Sequence, residues 1–206
     1  DMELPENAAA ADKKSFDSKI VFKDVSFRYD TAENDAVRKV SFELPRGGMV
    51  AVVGGTGSGK STLAGLLARF FDPREGEITM DGTPLRDLKI GDLRSLVGAV
   101  TQESLLFNDT IEENIRYGTP GASHEDVVRA AKLANAHDFI ERLPDGYQTV
   151  LSDDGVNISK GQKQLITIAR AMLSDSPMLI LDEATSNVDS RTEQQIQQAM
   201  LSLRKG

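Results

Sequence analysis

Apolar and polar positions alternate along two early stretches of the chain. Val25, Phe27 and Tyr29 interleave with Ser26 and Arg28, and Val40, Phe42 and Leu44 with Ser41 and Glu43, the two-residue period of strands that bury one face. A polar connection, residues 31–36, joins them. Residues 1–19 are polar and Ala-rich without a period, so they read as a linker and not as packed structure, with the domain starting at Ile20. Pro45-Arg46-Gly47-Gly48 predicts a turn into Met49-Val50-Ala51-Val52-Val53, an unbroken apolar run expected of a strand covered on both faces. Residues 60–71 carry a helical period, stopped by Asp72-Pro73-Arg74-Glu75-Gly76. Strands are expected again at 77–81 and 97–101. Between Thr110 and Leu173 the texture becomes helical, with N-terminal capping pairs at Thr110 and Glu113, Ser123 and Asp126, and Ser159 and Gln162. The chain then returns to Met178-Leu179-Ile180-Leu181, a second buried strand of parallel type, and to a polar-faced helix carrying Ile196, Met200 and Leu203. The pattern predicts an α/β domain with a helical subdomain inserted in it.

Composition narrows the chemistry. The 206 residues contain no cysteine and two histidines, which excludes disulfides, thiolate-bound zinc and thiol catalysis. With 24 Lys and Arg against 32 Asp and Glu, the formal net charge is −8. Such a balance repels a phosphate backbone, so no nucleic-acid partner is expected. No stretch reaches the roughly eighteen consecutive apolar residues of a membrane span, and Asp1-Met2-Glu3 has no basic lead into an apolar core. The isolated chain is expected to be soluble and to be a piece of a longer polypeptide.

Gly54-Gly55-Thr56-Gly57-Ser58-Gly59-Lys60-Ser61 has the spacing of a phosphate-binding loop, with Thr62 following. Its glycines permit positive φ and close backbone approach, so that successive N–H groups converge on phosphate oxygens at a helix start. Lys60 is then expected to span the terminal phosphates, and the Ser61 hydroxyl to ligate Mg²⁺. Asp182, directly after the apolar run 178–181, places a carboxylate at the end of a buried strand, where open α/β sheets bind ligands. In phosphate-loop NTPases such an Asp holds Mg²⁺, and the adjacent Glu183 is the candidate to polarise the attacking water.

A third element decides the class. Asn157-Ile158-Ser159-Lys160-Gly161-Gln162 precedes an amphipathic helix and resembles the signature of ATP-binding-cassette (ABC) ATPases. Its usual core is Leu-Ser-Gly-Gly-Gln. Ile158 replaces the Leu and Lys160 the first of the two glycines, while Ser159, Gly161 and Gln162 remain. The same residues also satisfy an ordinary capping box. The resemblance extends from Ile20 to Arg204. It implies a P-loop NTPase core with a parallel sheet, an antiparallel β-subdomain and a helical subdomain over about 104–173. It further implies that Tyr29 stacks on adenine, that Gln102 reaches Mg²⁺ and the attacking water, and that Ser186-Asn187-Val188-Asp189 communicates between two nucleotide sites.

The run from Thr101 to Ile115, with Phe71-Asp72-Pro73 and Asp81-Gly82, looks specifically like exporter cassettes fused behind a transmembrane domain. Residues 1–19 then read as the linker from that domain, and 20–206 as the nucleotide-binding domain. The exporters' coupling segment falls on Thr149-Val150-Leu151-Ser152-Asp153, where only the acidity of its usual Gly-Glu ending is kept. The family's switch histidine lies well beyond Asp189, and this chain reaches Gly206, seventeen residues on. That histidine and the next core strand are therefore expected outside it. His124 and His137 fall in the helical insertion and read as solvated or capping residues.

What the resemblance implies is an ATPase of the cytoplasmic membrane face. It binds ATP and Mg²⁺ and dimerises around two nucleotides. Tyr29, Gly54 to Thr62, Gln102, Asp182 and Glu183 come from one chain, and Ser159, Gly161 and Gln162 from a second nucleotide-binding domain. A transmembrane domain is the other partner. Two alternatives stay open on sequence: a nucleotide-sensing half of a heterodimeric transporter, for which Lys160 speaks, and a soluble ABC ATPase outside transport.

Overall fold

The computed structural model describes residues 9–100, 105–152, 158–181, 194 and 196–199. Two compact units divide the chain, Asp1–Val97 and Gly98–Gly206.

In the first unit, β1 (Lys19–Phe27) pairs antiparallel with both β2 (Val37–Pro45) and β3 (Glu75–Met80), and β4 (Thr83–Pro84) completes the order β2-β1-β3-β4. The alternation read in β2 is realised: Val40, Phe42 and Leu44 are half-buried, while Ser41 and Glu43 are exposed. Opposite residues Phe22 and Phe42 stack with ring centroids 4.4 Å apart, a cross-strand contact of the kind that holds register. In β1 the period breaks. Register shifts flank Val25, Asp24 takes φ 49°, and Ser26 is buried together with Val25 and Phe27. These irregularities bring an extra side chain to the buried face, and the Ser26 hydroxyl accepts the Lys39 N–H at 3.0 Å. Gly76 closes the same spot from β3, since a Cβ there would stand 2.3 Å from the carbonyl oxygens of Lys23 and Asp24.

Three expectations need correction in this unit. Residues 9–18 are packed, although the lack of a period read as loose linker. Ala11 bridges to Leu88, Phe16 is 3% exposed, and the Asp81 carboxylate accepts the N–H groups of Asp17, Ser18 and Lys19 at 2.9, 2.7 and 3.0 Å. Asp92 holds Lys13 N–H at 3.0 Å and the Lys14 ammonium at 2.5 Å. The docking uses one apolar anchor and backbone groups, which leave no hydropathy period to read. Second, the run Met49–Val53 forms no strand and is exposed, Val53 to 88%. An apolar run becomes a covered strand only when other strands pair with it, and among the described residues none does. Third, helix α1 spans Lys60–Leu67 and not to Phe71. Arg69 turns left-handed at φ 51°, and its buried guanidinium reaches Leu88 O at 3.2 Å and Asp72 at 3.1 Å. The helical period over 68–71 is thus overridden by a buried arginine. A short helix α2 (Ile90–Ser95) follows.

The second unit holds β5 (Val97–Val100), paired with β8 (Met178–Leu181), and β6 (Asp109–Thr110), paired antiparallel with β7 (Val150–Leu151). Around them lie α3 (Ile111–Arg116), α4 (His124–Leu133), α5 (His137–Ile140) and α6 (Lys160–Ser174). Its core joins Ile111, Ile115, Val127, Ile140, Leu165 and Ile168, all at most 1% exposed. All three capping pairs form. Thr110 Oγ1 accepts Glu113 N–H at 3.0 Å, and Ser123 with Asp126 and Ser159 with Gln162 close reciprocal capping boxes. Ile196 of the expected last helix is buried, in the helical stretch 196–199; Met200 and Leu203 lie outside the described residues.

Candidate functional site

The loop 54–59 runs into α1 in the conformation its glycines demand. Gly57 and Gly59 take φ 79° and 90°, and Gly59 is the N-cap of α1. A Cβ on Gly59 would lie 2.2 Å from Ala36 O, so the position is closed to any side chain. At Gly54 a Cβ would stand 2.4 Å from Ser58 Oγ, a side-chain atom that can rotate away, and Ser58 N–H donates to Gly55 O at 3.2 Å. Around Gly55 and Gly57 there is open space. The Lys60 ammonium folds back over the loop and donates to Gly54 O at 2.9 Å and Gly55 O at 3.0 Å.

Helix α1 differs electrostatically from α3, α4 and α6. It has no side-chain cap and no acidic residue in its first turn, whereas α3 and α4 have both and α6 has a capping box. Its positive dipole end therefore meets no protein carboxylate from its own first turn, a field that favours an anion.

Tyr29 lies beside this loop. Its hydroxyl and Thr62 Oγ1 are 3.0 Å apart, and its ring meets Phe27 and Phe71 edge-on at 5.0 and 5.4 Å. At 37% exposure it keeps ring surface open, which is what stacking on a base requires. The tie through Thr62 was not legible in the sequence, because a tyrosine thirty-three residues upstream carries no spacing signal for it.

In the second unit Ser159 caps α6: its Oγ accepts Gln162 N–H at 3.2 Å, and Gln162 Oε1 accepts Ser159 N–H at 2.8 Å. Gly161 is buried in the first turn of the helix. Gln102, Asp153, Asn157, Asp182, Glu183 and Ser186 to Asp189 lie outside the described residues. Of the three expected Mg²⁺ ligands only Ser61 is described, exposed in the first turn of α1. A hydroxyl oxygen there is a hard donor suited to Mg²⁺. Among the described residues no group of three or more His, Cys, Asp or Glu could hold a metal.

Two polar centres, one buried and one half-buried, escaped the sequence reading. Glu112, 6% exposed, accepts from Arg116, from Gln148 Nε2 at 2.8 Å, and lies 2.9 Å from His124 Nδ1. Burial pushes its carboxyl up, but the His124 and Arg116 contacts outweigh that and hold it below the usual range. His124 is thus the first residue of α4 and a partner of Glu112, while His137 Nδ1 sits 2.9 Å from the Tyr147 hydroxyl. Burial, helped by Glu141 and Glu112, pushes that hydroxyl up to about 12.

The second centre is Arg170 on α6. Its Nε donates to Asn114 O at 2.7 Å, Nη1 to Leu105 O at 3.0 Å and Nη2 to Asn114 Oδ1 at 3.3 Å. The guanidinium also lies over the rings of Phe107 and Tyr117, 5.5 and 5.4 Å from their centroids. Asn114 in turn accepts Phe107 N–H at 2.8 Å and donates to Phe107 O at 3.0 Å and Thr110 O at 3.0 Å.

A glycine loop laid against the head of an uncapped helix, with its lysine held over the loop, defines a phosphate-loop NTPase. Residues 37–186 match the family described as ABC transporter, and the chain belongs to that family. It is 54% identical over 187 residues to an uncharacterised ABC transporter ATP-binding protein, YfiC, of Bacillus subtilis, covering 91% of this chain and 31% of that protein. It is 45% identical over 188 residues to an ATP-dependent lipid A-core flippase of Syntrophus aciditrophicus, covering 91% of this chain and 31% of the flippase. The structure of a bacterial Atm1-family ABC exporter with ATP bound superimposes with a TM-score of 0.89 at 42% identity, over 99% of this chain and 36% of that one. The fold is that of an ABC ATPase, with mixed helices and sheets. The chain spans about a third of the length of the relatives it matches. No helix of the described residues is long and apolar enough to cross a membrane.

Proposed function

We propose that this chain binds Mg-ATP and hydrolyses it as the nucleotide-binding domain of an exporter, at the cytoplasmic face of a membrane. The observation that carries the reading is the loop itself: Lys60 Nζ poised on Gly54 O and Gly55 O, before a helix whose first turn has neither side-chain cap nor acid. A triphosphate supplies the anion this arrangement suits. Lys60 turns from Gly54 O and Gly55 O to β- and γ-phosphate oxygens and stabilises the charge that builds between them. Tyr29 covers adenine, its ring held by Thr62 and two phenylalanines. Ser61, with Gln102 and Asp182, would hold Mg²⁺, and the bound ion would neutralise phosphate charge. Glu183 orients the attacking water and takes its proton.

Ser159, Gly161 and Gln162 complete the nucleotide site of a second nucleotide-binding domain. An already formed cap keeps Ser159 Oγ and the first turn of α6 fixed, and its hydroxyl hydrogen remains to donate to a phosphate oxygen. Turnover then waits on dimerisation, and a transmembrane domain takes up the resulting motion.

Lys60→Ala tests the reading. The variant should lose ATP affinity by at least tenfold in a fluorescent-nucleotide titration, since a charge-assisted phosphate contact is worth about 1.5–3 kcal/mol. Binding at wild-type strength would refute it.

A further inference from the structure

Helix α1 presents Lys60 and Ser61 at its start, and two arginines grip its far end. The helix is eight residues long, about 12 Å. Arg69 follows it in left-handed backbone at φ 51° and is 2% exposed. Its Nη1 donates to Leu88 O at 3.2 Å and its Nε to Asp72 Oδ1 at 3.1 Å. Arg94, on α2, meets the carbonyls just past the helix: Nη2 donates to Arg69 O at 3.0 Å and Nε to Ala68 O at 3.4 Å, with the guanidinium over the Phe70 ring at 5.1 Å.

The same short stretch, 87–94, receives the segment that leads into β1. Ala11 N–H donates to Asp87 O at 2.8 Å, and Lys89 N–H donates to Ala11 O at 3.0 Å. These two backbone bonds straddle Leu88, whose oxygen Arg69 holds. Two residues before Arg94 on α2, Asp92 accepts the Lys13 N–H at 3.0 Å and a proton of the Lys14 ammonium. Segment 11–14 and the end of α1 are thus fastened to one stretch of chain.

The joint is stiff for a physical reason. A buried guanidinium keeps its acceptors, because releasing one leaves a charge uncompensated away from water. Arg69 therefore cannot follow a shift of α1 without drawing Leu88 along or losing that bond. Its planar fork reaches an oxygen of residue 88 and one of residue 72 at once, with a geometry that the compact ammonium of lysine lacks.

We propose that Arg69 and Arg94 are positioning residues for nucleotide binding: they join the helix that carries Lys60 and Ser61 to segment 11–14, so that ATP on the loop and docking of that segment strengthen each other. The inference rests on the function proposed above, in which the loop at Lys60 takes the triphosphate. Both arginines act through α1 and not on the nucleotide. The coupling is reciprocal, so whatever ATP adds to the docking, the docking adds to ATP affinity.

The test is amide exchange on the full-length protein, with and without a saturating ATP analogue whose β–γ bridge resists cleavage. Phosphates should protect amides 55–62, and the Ala11 and Lys89 amides should slow by about fivefold or more, the lower end of a typical coupling. Unprotected amides at 55–62 overturn the reading beneath, and with it the inference. Protection there with unchanged rates at Ala11 and Lys89 overturns the inference alone. In Arg69→Met with Arg94→Met, the analogue should still protect 55–62 at saturation but leave Ala11 and Lys89 at their nucleotide-free rates, and the Kd for ATP should rise by a similar factor. Merely structural arginines would alter those rates equally with and without nucleotide, so a nucleotide effect at 11 and 89 that survives the pair of substitutions overturns the inference. Should that variant fail to fold, Ala11→Pro with Asp92→Asn cuts the ties from the side of the segment, removing one N–H donor and one charge. The Kd for ATP should again rise about fivefold, and an unchanged Kd overturns the inference.

Discussion

Single residues in this chain show how one geometric demand selects one amino acid. Gly59 has a left-handed backbone and a neighbouring carbonyl 2.2 Å from any Cβ. Gly59→Ala should therefore cost about 2 kcal/mol or more in stability, as strain plus displacement of residue 36, and abolish nucleotide binding; a thermal melt with and without ATP checks both. Asp81 makes a different demand. Burial works against its charge, yet Lys13 and the N–H groups of Asp17, Ser18 and Lys19 more than compensate and bring its pKa from 3.8 to about 2. The folded-state value lies below the unfolded one, so the contribution is complete above about pH 4 and is lost as the pH falls toward 2. Amide exchange at residues 17–19, measured relative to the intrinsic peptide rate at each pH, should accelerate over that window and not between pH 5 and 8. In Asp81→Asn it should already be fast at pH 7, and slow exchange in that variant would contradict the clamp. The loop glycines were legible in the sequence because their spacing is itself the chemistry. The Asp81 clamp was not, since it is a carboxylate meeting backbone donors more than sixty residues away.

At the level of elements, helix starts were the most readable feature. Each of the three capping pairs is local, and its geometry follows from a hydroxyl meeting an N–H three residues on. Strand ends and apolar runs were harder, because what covers them is set elsewhere. Val40, Phe42 and Leu44 obeyed their alternation against β1, while Met49–Val53 has the composition of a strand and no pairing among the described residues. The caps also separate structural from functional roles. Ser123→Ala should cost about 1 kcal/mol of stability through α4 and leave ATP turnover unchanged. Ser159→Ala should cost a similar amount through α6 and, in addition, lower turnover of the dimer severalfold or more. Denaturant melts paired with steady-state ATPase assays read both; equal turnover in the two variants would make Ser159 a cap and nothing further.

For the molecule as a whole, family membership was carried by the loop at 54–61, Asp182 with Glu183, and the residues around Ser159, three short stretches at long separation. The links among polar groups, such as Arg170 to Leu105 and Glu112 to Gln148, have no such signature, because each pairs residues distant in sequence through single contacts. A variant of the proposed catalytic carboxylate belongs to this scale. Glu183→Gln should keep ATP affinity, abolish turnover and accumulate an ATP-bound dimer visible in gel filtration, and monomer alone at saturating ATP would count against it. The docked stretch 9–18 bears on how such a domain is hauled about. Ten residues of free coil would let out about 35 Å before drawing taut, whereas Ala11 is held at Leu88, Lys13 N–H at Asp92 on α2, Phe16 is buried, and Asp81 at the end of β3 clasps the amides of Asp17, Ser18 and Lys19. Tension arriving at Ala9 thus meets no slack in these ten residues: it loads the Leu88 and Asp92 contacts first, and the Asp81 clasp shields β1 until those have given way.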